Sequence, residues 1–433
     1  MNKFFIFLFL FCAILTPPVH LVSGLPTFRP EMVVVLWAVV TGKVVLVGND
    51  RITSLMIYLF FTACIAIASS YLFFDTPYDH RDFMILPMIV QYWLVYCFAK
   101  SVRDPKLMLY SVKMVSLFVA LSALIGMCQK FNIFGVNDWL SPLYVEREYE
   151  LWKLREESYY GRSVGTIGDP RHFAFLLGIG IAAATALIFL IKKNRPKWYF
   201  SALLFCMAAL PLSASRTGFA AAILVVFIGL YLLNKISSRR FNKYLLIGGM
   251  VFPTLFIFYL DVVPQGSTDR LFQTDTDSFQ SSLAGRQRDN LEPYVRALNE
   301  PLILITGRGP AKSIFPGSEH SDLGWMTLHF GLFGLACYLG ILYRSYQTGI
   351  KRYQRRGTSL EEHVFAMFSL MLLGNWAFFA LAESIFKLNQ LMSINMFTLG
   401  VLGAQSFAYR RIKYNQPKHK EPVLHNPQNG MYQ

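Results

Sequence analysis

The chain has 433 residues, of which 54% are hydrophobic, 15% aromatic and only 15% charged. Soluble domains carry about 25% charged residues, so the composition excludes an ordinary soluble enzyme and most nucleic-acid-binding proteins. The net charge of +15 would suit an anionic polymer as partner, but membrane topology accounts for most of it.

Twelve apolar runs are near the length of about 20 residues that a helix needs to cross a bilayer. Only helices and closed barrels satisfy their backbone groups in lipid, so we predict an all-α polytopic membrane protein with about 12 transmembrane helices. Residues 1–408 form a single transmembrane domain, and residues 409–433 form a basic tail. The predicted segments are 4–22, 31–48, 52–74, 83–99, 107–127, 172–191, 198–213, 217–234, 244–262, 322–343, 363–382 and 388–408.

Basic residues are distributed unevenly between the predicted loops. With Lys3 placed inside, the inner loops and the tail hold 23 of the 41 basic residues, whereas the short outer loops hold Arg29, Arg81, Arg216 and Lys387. The positive-inside rule therefore predicts that both termini are cytoplasmic. The first segment also has the composition of a signal peptide, but no A-x-A cleavage site follows it.

Two predicted outer loops, 128–171 and 263–321, are long and rich in arginine. Long translocated loops escape the positive-inside rule, so insertion does not explain these arginines, and they are the first indication of function. The inner loops are too short for a nucleotide-binding domain, and no GxxxxGK[ST] motif occurs. Neither an internal repeat nor a broken helix is predicted, which disfavours a transporter.

The first long loop ends in the stretch Gly161–His172, which leads into the sixth segment. Asp169 and Pro170 predict a helix start, with Asp169 as the N-cap, and Gly165 and Gly168 permit tight backbone near a ligand. Helix N-termini bind phosphate, so an anion site and an ordinary helix entry both remain open. The candidate substrate contacts here are Arg162, Arg171 and His172.

Arg216 stands in the short turn between the seventh and eighth segments. An arginine in a short outer turn opposes the charge rule. It either binds lipid phosphate at the interface or faces a buried anion. A guanidinium offers bidentate, permanently charged donors, which suit a diphosphate.

The second long loop carries Arg286 and Arg288 at the start of a predicted short helix that continues towards Leu298. Residues two apart on a helix point in different directions, so we expect one arginine to face the site, and Arg286, next to Gly285, is preferred. Arg308 is a further candidate substrate contact.

The same loop ends in Glu319-His320-Ser321-Asp322 at the membrane face. Histidine is the side chain best suited to take a proton near neutral pH, and a carboxylate such as Glu319 can orient its ring. The alternative is a helix cap made by Ser321 or Asp322 beside an interfacial histidine.

Three other polar residues are assigned structural roles. His329, about 13 Å further along the helix axis, is interpreted as an interhelical contact, and Glu383 and Lys387 as a local ion pair or rim charges. Asp275-Thr-Asp277 matches a D-x-D metal motif but lacks the sheet that carries it in soluble transferases. No metal and no cofactor are predicted.

Taken in order, these motifs resemble the superfamily of O-antigen ligases and Wzy-type polymerases. The resemblance implies a glycosyltransferase C-type fold in the bacterial inner membrane, which transfers polyprenyl-diphosphate-linked glycans on the periplasmic side without metal. It also implies that Arg216 and Arg286 bind the diphosphate and that His320 is catalytic. The motifs are Arg29-Pro30-Glu31, Gln129, Gly165–Ala174, Ser215–Gly218, Gly285-Arg286, Gly307–Gly309, His320-Ser321 and Leu328–Leu335.

Ligases of this superfamily often carry Asn after the histidine, where this chain has Ser321, and the difference favours a polymerase. We therefore expect an enzyme that joins a glycan to a lipid-linked repeat unit and builds O-antigen, capsule or exopolysaccharide. The alternatives are a ligase that transfers the glycan to a lipid A core and a flippase that binds the same diphosphate without chemistry. Membrane lipids and a chain-length regulator are expected partners, and nucleic acid is not.

Overall fold

The structure is a computed structural model that describes residues 1–17, 29–44, 46, 50–145, 154, 162–191, 196–236, 242, 294–295, 298–311, 321–355 and 357–404. All regular elements within these ranges are helical. They are α1 (Lys3–Leu15), α2 (Pro30–Val40), α3 (Arg51–Phe73), α4 (Ile85–Lys100), α5 (Pro105–Lys130), α6 (Val136–Trp139), α7 (Ser141–Tyr144), α8 (Pro170–Leu190), α9 (Trp198–Leu212), α10 (Arg216–Ile236), α11 (Pro301–Thr306), α12 (Asp322–Gln354), α13 (Leu360–Ala382) and α14 (Asn389–Gly403), with short 3₁₀ helices at His80–Met84 and Ile133–Gly135.

Seven stretches of these helices are long and apolar enough to cross a bilayer, which confirms an all-helical, multi-pass membrane protein. They are Arg51–Phe73, His80–Lys100, Pro105–Lys130, Pro170–Leu190, Arg216–Lys235, Asp322–Gln354 and Leu360–Ala382. Four shorter helices coincide with predicted segments but have only 13, 11, 15 and 15 residues: α1, α2, α9 and α14. The ninth predicted segment, 244–262, and the tail 409–433 lie outside the described residues.

Helix α8 lies at the centre of the bundle, and its most apolar stretch is completely buried. Helices α5, α9, α10 and α13 pack around it. Small residues let these neighbours approach closely, as is usual between membrane helices. A Cβ atom on Gly178 would lie 2.5 Å from the Asn375 side-chain oxygen, and one on Gly180 would lie 2.5 Å from Val119 Cγ1. The central position of α8 holds its N-terminus in a fixed place relative to its neighbours.

Helix α12 has 33 residues and is broken at Gly331, where the sequence predicted one continuous span. Gly331 has φ 66° and ψ −172°, a conformation that is essentially restricted to glycine. The carbonyls of Leu328 and His329 accept hydrogen bonds from the backbone N–H groups of Arg308 and Gly309, at 2.9 and 3.0 Å. The segment that follows α11 therefore replaces helical hydrogen bonds lost at the break, as backbone buried in a membrane protein requires.

We expect Gly331→Ala to destabilise the protein. The added Cβ atom would lie 2.8 Å from the carbonyl oxygen of Leu304, at a φ that side chains rarely adopt. Backbone strain of this kind costs about 1–3 kcal/mol, and the steric contact adds to it. Gly42→Ala is the matched control, because Gly42 also has φ 66° but nothing lies within 4 Å of the added atom.

Thermal unfolding of both purified variants in detergent measures the difference. A Gly331→Ala protein as stable as the wild type would contradict the interpretation. Equal losses in the two variants would assign the whole effect to the φ angle rather than to packing against Leu304.

The end of the first long loop, residues 162–168, is packed inside the helix bundle instead of standing outside it. The Ser163 hydroxyl donates to the carbonyl of Gly126 in α5 at 2.7 Å, and the Thr166 hydroxyl donates to the carbonyl of Ile14 in α1 at 2.6 Å. The segment was predicted to belong to an outer loop, but hydrogen bonds supplied by the bundle allow its backbone to be buried.

Residues 301–311 of the second long loop are packed against the bundle in a similar way. Ser69 and Thr306 are joined by a hydrogen bond of 2.8 Å between their hydroxyls, which holds α11 against α3. A Cβ atom on Gly309 would lie 2.9 Å from the carbonyl oxygen of Ala66. Residues 162–168 of the first long loop and residues 307–311 of the second thus both pack into the bundle.

Candidate functional site

The site is built around the N-termini of α8, α10 and α12, which we call the predicted outer end of the bundle because the charge rule places it outside. Helices α8 and α10 begin side by side, since a Cβ atom on Gly218 of α10 would lie 2.3 Å from the Cβ atom of Ala174 in α8. The backbone N–H groups of a first helical turn lack helical partners, and the helix dipole adds positive potential there. Two adjacent N-termini therefore favour an anion, and at α8 the Asp169 carboxylate already accepts two of these N–H groups.

Asp169 caps α8, as the sequence predicted. Its carboxylate accepts hydrogen bonds from the backbone N–H groups of Arg171 and His172, at 2.7 and 3.2 Å. Burial alone would raise the pKa of Asp169, but the neighbouring His172 and Arg171 and these hydrogen bonds outweigh it and hold the pKa well below its usual range. The carboxylate stays ionised at neutral pH and fixes both side chains beside the helix start.

Arg171 also connects α8 to the start of α12. Its Nη1 atom lies 3.1 Å from Oε2 of Glu383, the residue that follows α13. The next residue, Ser384, donates to Oδ1 of Asp322 at 3.2 Å, and Asp322 is the first residue of α12. This chain of contacts places the N-terminus of α12 near that of α8.

Arg216 begins α10 directly after a tight turn, in which Ala214 has φ 47°. The Ser215 hydroxyl accepts a hydrogen bond from the N–H of Gly218 at 3.2 Å and so caps the helix. The Arg216 side chain is half-buried. Arg216 therefore lies at the N-terminus next to the one that carries Arg171 and His172.

Arg162 lies behind this turn. It is 8% exposed, its Nε donates to the carbonyl of Ser213 at 2.9 Å, and its Nη2 donates to that of Ala214 at 3.4 Å. Arg162 was a candidate substrate contact, but these contacts make it a residue that holds the turn before Arg216.

Gly165 and Gly168 have positive φ, as the tight backbone predicted, but protein fills the space beside them. A Cβ atom on Gly168 would lie 2.1 Å from the carbonyl oxygen of Tyr144, and one on Gly165 would lie 2.3 Å from the Phe173 ring. The Gln129 amide accepts from the N–H of Gly165 at 2.8 Å and donates to its carbonyl at 3.1 Å. The glycines serve packing at this position and do not open onto a ligand.

Ser321 caps α12, and its hydroxyl accepts a hydrogen bond from the N–H of Gly324 at 3.0 Å. Asp322 is fully buried, and its Oδ2 accepts from the Tyr338 hydroxyl at 2.7 Å. The hydroxyl of Tyr294, from the second long loop, lies beside Ser321. For the motif Glu319–Asp322, the alternative prediction of a helix cap is confirmed at Ser321. The sequence pattern did not indicate the bond to Tyr338, because that partner is sixteen positions away.

The remaining candidates are distributed as follows. Arg308 Nη1 lies 3.8 Å from Glu300 Oε1, and its guanidinium lies over the Phe74 ring, so it packs near the end of α3. The ring of His329 is buried and its Nδ1 contacts the carbonyl of Gly309, which confirms a structural contact. Four predicted site residues lie outside the described part of the chain: Arg286, Arg288, Glu319 and His320.

Within the described residues, no group of three or more His, Cys, Asp and Glu side chains is arranged to hold a metal ion. The pair Asp275 and Asp277 lies outside these residues.

No protein-family model matches the chain, and no curated protein matches it significantly. The resemblance to O-antigen ligases and Wzy-type polymerases therefore rests on the ordered motifs of the sequence.

Proposed function

We propose that the protein is a metal-independent glycosyltransferase of the bacterial inner membrane that polymerises polyprenyl-diphosphate-linked oligosaccharides at its periplasmic face. The observation that carries the proposal is that three helix N-termini lie at one end of the bundle, two of them side by side and the third linked to them through Glu383 and Ser384. Arg216 and the pair Arg171 and His172 lie at two of them, and Ser321, which directly follows His320 in the sequence, caps the third.

The proposed reaction needs no cofactor, since the donor already carries a good leaving group. An acceptor hydroxyl attacks the anomeric carbon while the bond from that carbon to the phosphate oxygen breaks. Arg216 and Arg286 stabilise the charge that grows on the departing polyprenyl diphosphate. His320 takes the proton of the attacking hydroxyl as general base. The products are a lengthened glycan on the acceptor lipid and free polyprenyl diphosphate.

A flippase is the second candidate, because the break in α12 at Gly331 resembles the broken helices of many transporters. In transporters the unwound carbonyls coordinate the cargo or its coupling ions. Here the carbonyls of Leu328 and His329 are bonded to the backbone of Arg308 and Gly309. These two carbonyls already have hydrogen-bond partners within the protein, which favours the enzyme over the flippase.

Deletion of the gene in its host separates the three candidate functions. Loss of a polymerase leaves single repeat units on the final acceptor. Loss of a ligase leaves the acceptor bare while polymer accumulates on the carrier lipid, and loss of a flippase traps single units inside. We expect the first pattern, which electrophoresis of the cell-surface glycan detects, and either of the others would overturn the polymerase.

The proposed orientation predicts which residues react with an impermeant thiol reagent added to whole cells. Single cysteines that replace Ser158 and Ser281 should be labelled, and one that replaces Ser237 should not. The half-buried native Cys64 and Cys128 are first changed to serine to lower the background, since the other four cysteines are buried. Labelling at position 237 with none at 281 would reverse the orientation and remove the periplasmic site.

A further inference from the structure

A second group of polar side chains lies where α2 meets α14 at the predicted outer end. We call Arg29, Glu31, Gln390 and Ser393 the Glu31 cluster. Glu31 is 1% exposed and Ser393, at 0%, lies beside it. Gln390 is one helical turn before Ser393 and is also buried. The cluster brings a carboxylate, a guanidinium, an amide and a hydroxyl to one buried place.

Three members of the cluster have a buried polar atom without a hydrogen-bond partner in the described structure: Arg29 Nε, Glu31 Oε1 and Gln390 Nε2. The buried Ser393 hydroxyl has no partner there other than the neighbouring Glu31 carboxylate. Buried polar groups are nearly always paired in proteins, and an unpaired one is costly. These atoms lie on two neighbouring helices, and they indicate that another molecule provides their missing partners in the working state.

The chemistry of these atoms restricts what that molecule is. Arg29 Nε and Gln390 Nε2 are donors, Glu31 Oε1 is an acceptor, and the Ser393 hydroxyl is both. The negative charge of Glu31 disfavours a bound anion, and the positive charge of Arg29 disfavours a bound cation. A neutral molecule rich in hydroxyl groups, each of which both donates and accepts, matches this set, and a sugar is such a molecule.

The cluster is connected to the start of α12 through Tyr92. The Tyr92 hydroxyl donates to the carbonyl of Phe386 at 2.7 Å, and the backbone N–H of Phe386 donates to Asp322 at 2.9 Å. Tyr92 also lies within electrostatic range of Arg29, Glu31 and Asp322. The cluster is therefore close to Asp322, the residue that follows the Ser321 cap of α12. His320 lies two positions before Asp322 in the sequence.

We propose that the Glu31 cluster binds hydroxyl groups of the acceptor glycan, and this inference rests on the transfer reaction proposed above. The donor diphosphate is assigned to the α8 and α10 side, and the reaction needs a second substrate that presents a hydroxyl to His320. A sugar held by Glu31 and Ser393 fixes that substrate from the α2 and α14 side.

Binding to the purified full-length protein in nanodiscs tests the proposal without requiring turnover. The probes are the single lipid-linked repeat unit, extracted from host cells that lack this protein, and polyprenyl diphosphate without sugar. Wild-type protein is expected to bind the sugar-bearing probe at least about 10-fold more tightly. Glu31→Gln and Ser393→Ala are both expected to lose that sugar-dependent difference and to bind the sugar-free probe unchanged.

Thr398→Val is the matched control on α14, since the buried Thr398 hydroxyl donates to the carbonyl of Ile394 at 3.0 Å in its own helix. It should keep the full difference. Thermal stability without ligand is measured for both cluster variants, and loss of the sugar-dependent difference in a variant as stable as the wild type separates a binding role from a structural one. The inference is overturned if the wild type binds both probes equally or if either cluster variant keeps the sugar-dependent difference.

A transfer assay on the same samples distinguishes this failure from failure of the proposed function. Sugar-dependent binding through the cluster without any transfer would refute the polymerase and keep the glycan site. Transfer that is independent of the cluster would refute the glycan site alone.

Discussion

A His320→Ala variant is expected to bind the lipid-linked donor nearly as the wild type does and to lose transfer by about 10²–10⁴-fold. The reason is that a general base acts on the acceptor hydroxyl in the transition state and contributes little to donor binding. Single-turnover transfer by purified protein measures the chemical step, and donor titration measures binding separately. Ser321, the next residue, caps α12 through its own hydroxyl, so truncation of the histidine side chain leaves the cap intact.

His80→Ala is the control for this experiment. His80 is 60% exposed, beside Asp79 just before α4, and its loss should leave transfer unchanged. Expression and folding must be matched by size-exclusion profile and unfolding temperature. A folded His320→Ala protein that transfers at the wild-type rate would remove the histidine from the mechanism and leave the arginines as a binding site alone.

An Arg216→Ala variant is expected to weaken donor binding by about 10–150-fold, since a hydrogen bond to a charged group is worth ~1.5–3 kcal/mol and ~1.4 kcal/mol corresponds to a factor of ten. Arg216→Lys keeps the charge but loses the planar fork that bonds two phosphate oxygens, so it should also impair binding. Titration with polyprenyl diphosphate measures both variants. Because the same oxygens gain charge in the transition state, turnover should fall as well.

Arg81→Ala is the control for the second experiment, because it removes a positive charge as Arg216→Ala does. Arg81 also lies at the predicted outer end, but it is exposed and paired with Asp79. Donor binding should be unchanged in this variant. Similar weakening in Arg81→Ala and Arg216→Ala would point to a general attraction of the diphosphate to basic residues and against a specific place for Arg216.

Local features of the site could be predicted from sequence because their partners are close in the chain. Asp169 followed by Pro170 marks the start of α8, and both capping hydrogen bonds reach residues within three positions. Ser321 is bonded three positions ahead in the same way. Helix positions could be predicted from hydropathy for the same reason, because a long apolar run is recognised without any partner elsewhere in the chain.

Features that depend on distant partners could not be predicted. The break at Gly331 requires backbone partners at Arg308 and Gly309, about twenty positions earlier in another segment. A glycine indicates that a positive φ is available, but it does not show that the Tyr144 carbonyl occupies the space beside Gly168. The charge of Arg162 is visible in the sequence, whereas its carbonyl acceptors lie fifty positions away.

The buried end of the first long loop has a consequence for the order in which the protein is assembled. Residues 162–168 are bonded to Ile14 in α1, to Gly126 in α5 and to Leu212 at the end of α9. Helices α1 and α5 are synthesised before this segment, but α9 is synthesised after it. The segment therefore reaches its final place only when a later helix has entered the membrane and packed. Chains truncated before residue 198 should insert their earlier helices and yet leave residues 162–168 open to protease added on the predicted outer side.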